Sequence, residues 1–273
     1  MLVCLSGLLG CRESAVEQPA VGDVVQWKLP DRLREISGLA LTNAGGLLAV
    51  DDERAVVYEL DYDSGGILRE FSVGDPVLKG DFEGLAVLGS TLFLMDSDGD
   101  LYRSVVGSDD EHVRVETVPT GLGEQCEFEG LTSYAKRLYL LCKAVYDDGD
   151  RDGLTVFVWD TESDRLLSDE HVTLPEAEIG REIAKKRLHP SGIAVHPQTG
   201  NWVIVAARQA ALIEMSPTGR LLSARPLPEG IRHPQAEGIE FTEDGRLLIA
   251  DEGGKGKARL TMYTNLSFAE SDR

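Results

Sequence analysis

Short apolar runs separated by polar, glycine-rich turns recur along the whole chain. The runs LLAV from Leu47, LFLM from Leu92, LYLL from Leu138, WVIV from Trp202 and LLIA from Leu247 are apolar at successive positions. That pattern marks strands buried on both faces. Each run follows a segment built on a glycine, an apolar residue and usually a small one. These read EISGLAL from Glu35, DFEGLAV from Asp81, EFEGLTS from Glu127, HPSGIAV from His189 and QAEGIEF from Gln235. An alternating segment comes next, such as VVYEL from Val56 or ALIEM from Ala211, and then a more polar one such as ILREF from Ile67 or HVTLP from His171. The repeat glycines Gly38, Gly84, Gly130, Gly192 and Gly238 are spaced by 46, 46, 62 and 46 residues. The long interval contains a polar insertion around Asp147.

Four antiparallel strands per repeat, with polarity rising along the unit, describe a propeller blade. Five repeats predict an all-β, five-bladed β-propeller, with the small residues of each first strand at the crowded axis. The last repeat has only three strands, ending near Arg259 to Tyr263, whereas the chain opens with an unpartnered strand, VVQWKL from Val24. That strand is predicted to become the fourth strand of the last blade and close the ring. The expected organisation is one propeller domain over residues 23–268, preceded by segments 1–10 and 11–22 and followed by a tail, 269–273.

The first ten residues, MLVCLSGLLG, are uncharged and too short to span a bilayer as a mature helix, but they fit the apolar part of a secretory signal. Leu8-Leu9-Gly10-Cys11 resembles the bacterial lipobox, which implies cleavage, lipidation of Cys11, and a tether over residues 11–22. Position 12 is Arg and not Asp, so the inner-membrane retention signal is absent. The expected location is the cell envelope, at the outer membrane facing the periplasm, with membrane contact only through the lipid. Cys4 would leave with the signal. Cys126 and Cys142 flank a hairpin predicted to turn near Ala135-Lys136, and are expected to form a disulfide or to remain two buried thiols.

The chain has 27 Lys and Arg against 47 Asp and Glu, a net charge of −20. That field repels phosphate backbones, so nucleic acid is excluded as a partner, and it favours cations. The candidate chemistry is correspondingly acidic. Glu83, Glu129 and Glu237 each precede a repeat glycine, and Glu35 and Glu127 lie three residues before theirs. On superposed blades these carboxylates ring one end of the channel. Converging carboxylates repel unless protonated or bridged by a cation, and an oxygen-only site suits calcium above magnesium. The alternative is architectural, with each Glu capping N–H groups of the neighbouring blade.

Asp51 with Asp52, Asp96 with Asp98, and Asp251 with Glu252 end second strands on the same face, as ligand-capturing groups or as hairpin turn residues. His189 and His233 fall shortly before repeat glycines, either as general bases near a metal or as loop groups satisfied by local hydrogen bonds. Asp148, Asp150, Asp152 and Gly153 match the opening of an EF-hand loop, but the twelfth position is Trp159 and not Glu, which reads as a solvated acidic insertion. Lys185-Lys186-Arg187 reads as the solvated face of a short helix. The sequence has no G-x-S-x-G elbow and no H-E-x-x-H.

With Glu-Gly-Leu at Glu83 and Glu129, Glu-Gly-Ile at Glu237, and the stretch SGIAVHPQTGNWVIVAARQAALIEMSPTGRLL from Ser191, the chain resembles the bacterial SdiA-regulated family from about Glu35 to Glu252. The resemblance implies a five-bladed propeller with a calcium ion and distant kinship to NHL repeats; it carries no established activity. The expectation is a monomeric, non-enzymatic, calcium-associated propeller that binds a small ligand or an envelope protein on its acidic face. The alternative is a metal-dependent hydrolase of the lactonase- or phytase-like kind, with the glutamates as metal ligands.

Overall fold

The computed structural model describes residues 24–145, 153–180, 183 and 187–270. Cys11, where lipidation is expected, the EF-hand-like Asp148, Asp150 and Asp152, and Lys185 and Lys186 lie outside them. Five sheets form the described part of the chain, with inner strands Ile36–Leu41, Phe82–Leu88, Cys126–Tyr134, Pro190–Val195 and Ala236–Phe241. Each inner strand touches those of the preceding and following blades, and the fifth touches the first, which makes the assembly a closed ring. The fold is a five-bladed propeller of mainly antiparallel sheets. The N-terminal strand Val24–Lys28 completes the fifth blade, running antiparallel to Arg259–Tyr263 with Val24 opposite Tyr263 and Lys28 opposite Arg259.

Strands apolar on both faces are needed because the core lies between blades. Five buried clusters fill the five junctions. Trp202 and Tyr139 meet between blades three and four, at 5.0 Å between ring centroids, and Phe82 and Leu85 pack with Val50 and Phe71 between blades one and two. At the axis, sheets approach so closely that only glycine fits. A Cβ on Gly84 would lie 2.6 Å from the Leu131 amide nitrogen, and one on Gly192 would lie 2.4 Å from the Glu237 carbonyl oxygen.

Three features depart from the simple repeat. His112–Val113 leaves blade two and adds a short parallel strand to blade one, where Glu111 and Val113 carbonyls accept from Ser72 and Gly74 N–H and cover an open edge. In blade three the outer position is split between Arg165–Leu166 and Val172–Pro175, both paired with Gly153–Asp160. The C-terminal segment straps blade four, since the Ala269 N–H donates to the carboxylate of buried Glu214 at 2.9 and 3.0 Å. Phe268 packs there on His196 and Phe241, so ordered contacts reach one residue past the expected boundary at 268.

The hairpin of blade three turns at Ala135 and Lys136, whose φ angles of 49° and 67° are those of a two-residue I′ turn. Cys126 and Cys142 form a disulfide across it, with Cα atoms 5.9 Å apart.

Candidate functional site at the channel mouth

The residue before each repeat glycine has a special backbone position. Pairing in the innermost hairpin runs Ile36 to Asp51 and then Gly38 to Val50, leaving Ser37 out of the ladder. The same one-residue bulge leaves out Glu83, Glu129, Ser191 and Glu237. A bulge of this kind releases one residue from pairing and re-aims its side chain. In blades one and four the released residue is Ser, and its hydroxyl caps the next blade: Ser37 Oγ donates to the Phe82 carbonyl at 2.5 Å and Ser191 Oγ to the Ala236 carbonyl at 2.7 Å. These hydroxyls cap carbonyl oxygens, whereas the cap expected of the glutamates would accept from N–H groups. Glu83 and Glu237 instead line the channel, whose free space of about 10 Å³ is close to that of one water molecule.

Burial, followed by repulsion from Glu129, Asp81 and Glu237, pushes Glu83 up to about 9. Burial and the charge of Glu129 push Glu237 up to about 8, and its Oε2 is buried with no hydrogen-bond partner among the described residues. Glu129 differs because Lys143 reaches it. Lys143 Nζ donates to Glu129 Oε1 and, at 2.9 Å, to Glu127 Oε1. Burial opposes the charge on Lys143, but these two pairs hold the ammonium well above its usual range; burial raises Glu129 although Lys143 opposes it.

Sequence reasoning missed Lys143. Alignment of the repeats through their register shows it, since the equivalent positions in the other blades are Asp52, Ser97, Ala207 and Glu252. Among the described residues no three His, Cys, Asp or Glu side chains stand as a ready metal-holding group.

The other candidates divide into four. Glu35 belongs to a second acidic group with Asp52 and Glu252, between blades five and one. Burial first, then a hydrogen bond and repulsion involving Glu35, push Glu252 up to about 7, and burial and Asp51 push Asp52 up to about 6. Asp51 and Asp96 act in their own hairpin turns. Asp51, raised mainly by burial, accepts backbone N–H from Glu53 and Arg54, and Asp96 accepts from Tyr102 OH at 2.8 Å and Asp100 N at 2.9 Å. Asp251 and His233 turn away from the mouth. Their side chains are 0% and 2% exposed, and His233 bridges Asp251 at 2.8 Å and the Tyr263 hydroxyl at 2.6 Å. Ring closure explains this, because Tyr263 lies on the strand that pairs with Val24–Lys28.

His189 does face the mouth. It lines a pocket of about 260 Å³ with Glu129, Lys143, Ser191, Arg208 and Glu237. A guanidinium only donates, so the 2.9 Å contact of Arg208 Nη1 with His189 Nε2 makes that nitrogen an acceptor and the ring neutral. Burial and then Arg208 lower its pKa.

These carboxyl groups fix the sign of the pH dependence. Glu83, Glu237, Glu252 and Asp52 bind protons more tightly folded than unfolded, where carboxyl pKa values are near 4. Their stabilising contribution is complete below about pH 4 and is lost as pH rises through the folded values. The melting temperature of the chelator-treated protein is therefore expected to fall between pH 5 and 9, and Glu83→Gln with Glu237→Gln to flatten that fall. A flat profile in the parent protein would contradict the assignment.

Comparisons with known proteins agree with this architecture. Residues 162–268, which span the end of blade three and blades four and five, match the family model described as SdiA-regulated. No curated protein sequence matches the chain. Among solved structures, the chain is similar to a glutaminyl cyclase of Myxococcus xanthus, at 14% identity and TM-score 0.59 over 89% of this chain and 95% of that one. It is also similar to a luciferin-regenerating enzyme, at 9% identity and TM-score 0.56 over 90% and 97%. A streptogramin B lyase matches at 12% identity and TM-score 0.53, over 88% and 97%. At these identities the likeness is one of fold.

Proposed function

We propose that this propeller, whose last two blades match the SdiA-regulated family model, is a ligand-binding protein of the cell envelope. Its site is the channel mouth, where Glu83, Glu129, Glu237 and Lys143 converge. The observation that carries the reading is the buried Oε2 of Glu237, unpartnered among the described residues, together with the raising of both Glu237 and Glu83 by burial and by repulsion from nearby carboxylates. Oxygen-only donors that repel one another are what a hard divalent cation relieves, so the residues fit calcium. Glu83 and Glu237 would hold it, while Glu129 stays with Lys143. Bound calcium would supply positive charge at the base of the 260 Å³ pocket, where Arg208 and His189 present donors to a small polar ligand.

Envelope anchoring through Cys11 belongs to the same reading. The disulfide supports it, because such bonds persist in oxidising compartments. The hydrolase alternative would need His189 as its base, but the acceptor nitrogen of that neutral ring is taken by the Arg208 guanidinium. Its other candidate base, His233, is held between Asp251 and Tyr263, and the Ser191 hydroxyl is committed to the Ala236 carbonyl.

Melting chelator-stripped protein with added calcium tests the proposal. A ligand at 100 times its dissociation constant adds about 2.7 kcal/mol, which is expected to raise the melting temperature saturably by several degrees. The rise should vanish in Glu83→Gln and Glu237→Gln. An equal rise in both variants, or none in the parent protein, would sink it.

A further inference from the structure

The opposite mouth of the channel breaks the repeat in a different way. Two residues after each repeat glycine the chain carries Ala40, Ala86, Thr132, Ala194 and Glu240. Four blades keep a small side chain there and the fifth carries a carboxylate. The room left by the small residues is a cavity of about 210 Å³, lined by Ala86, Val87, Thr132, Tyr134, Val195 and Glu240 among others; exposed Glu243 adds a second carboxylate to its wall, and no lysine or arginine among the described residues lines it. Glu240 Oε1 accepts from its neighbour's Phe241 N–H at 2.7 Å, and Oε2 from Leu41 N–H across the junction with blade one at 3.2 Å. Those bonds hold the carboxylate in place but use only two of its roughly four acceptor directions. No cation on the cavity wall balances its charge, and burial pushes it up to about 7.

We infer that this second cavity is a binding site for a small primary ammonium ion with a short apolar body. The ammonium would donate to Glu240, and the body would lie against Ala86, Val87 and Val195. Tyr134, 44% exposed, lies at the rim, where an aromatic face attracts a cation. The site is separate from the glutamates of the first mouth and is independent of calcium.

The test is a titration of the full chain with n-butylammonium, with uncharged n-butanol as control, read by chemical-shift changes of the Ala86, Thr132 and Val195 methyls. Saturable binding of the ammonium is expected, at least tenfold weaker for n-butanol and for Glu240→Gln, which keeps an acceptor for the backbone but removes the charge. Ala86→Leu fills the cavity and leaves Glu240 in place, so it covers the case in which Glu240→Gln fails to fold; it too is expected to abolish binding. Absence of saturable binding, equal affinity for butanol, or unchanged affinity in a folded Glu240→Gln or Ala86→Leu protein would overturn the inference.

Discussion

Gly192→Ala is expected to lower the melting temperature by on the order of 10 °C and to remove the calcium response with it. The added methyl would lie 2.4 Å from the carbonyl oxygen of Glu237, a backbone atom in the next blade, so no side-chain rotation relieves the clash. Overpacking of this kind costs up to about 3 kcal/mol, and each kcal/mol shifts a domain of this size by roughly 2–4 °C. Glu237 must move with its carbonyl, which ties stability to the site. Gly84→Ala meets the Leu131 nitrogen at 2.6 Å and should behave similarly, whereas Gly38 and Gly130 face the next glycine Cα at 3.1 Å and should tolerate alanine better. Melting the four variants side by side tests that order; a uniform small loss would mean that the axis has more slack than these contacts allow.

Loss of the disulfide is the second large effect. Cys126 and Cys142 are 16 residues apart, and closing a loop of about that length in the unfolded chain contributes roughly 3 kcal/mol. The Cys126→Ala, Cys142→Ala protein, or the reduced parent, is expected to melt on the order of 10 °C lower. The bond also ties together the strand ends that carry Glu127, Glu129 and Lys143, so the Lys143 pairs should loosen with it. A melting temperature unchanged by reduction would show that the hairpin needs no covalent clasp.

Much of this architecture is legible in the amino-acid sequence, for a physical reason. Each blade buries its faces only against its neighbours, so the same apolar runs and the same axial glycine recur, and the unpartnered strand from Val24 has one sheet left to complete. The site is less legible. That Glu83, Glu129 and Glu237 share a face follows from their place before the glycine, but the bulge that turns them inward is a matter of register, which hydrophobic pattern does not encode. Lys143 was hidden because it breaks a column of acidic and small residues instead of repeating one. Asp251 and His233 looked like mouth residues from local spacing alone; their partner Tyr263 lies on the strand that closes the ring. His112–Val113 is too short to show any periodicity.

The most direct test of the central claim is a calorimetric titration of calcium into the chelator-stripped protein. The account predicts one saturable site per chain, lost in the Glu83→Gln, Glu237→Gln double variant and retained in Glu240→Gln, whose carboxylate lies at the other mouth. Saturable binding that survives the double variant, or no binding to the parent protein, would contradict the assignment of these glutamates to a cation.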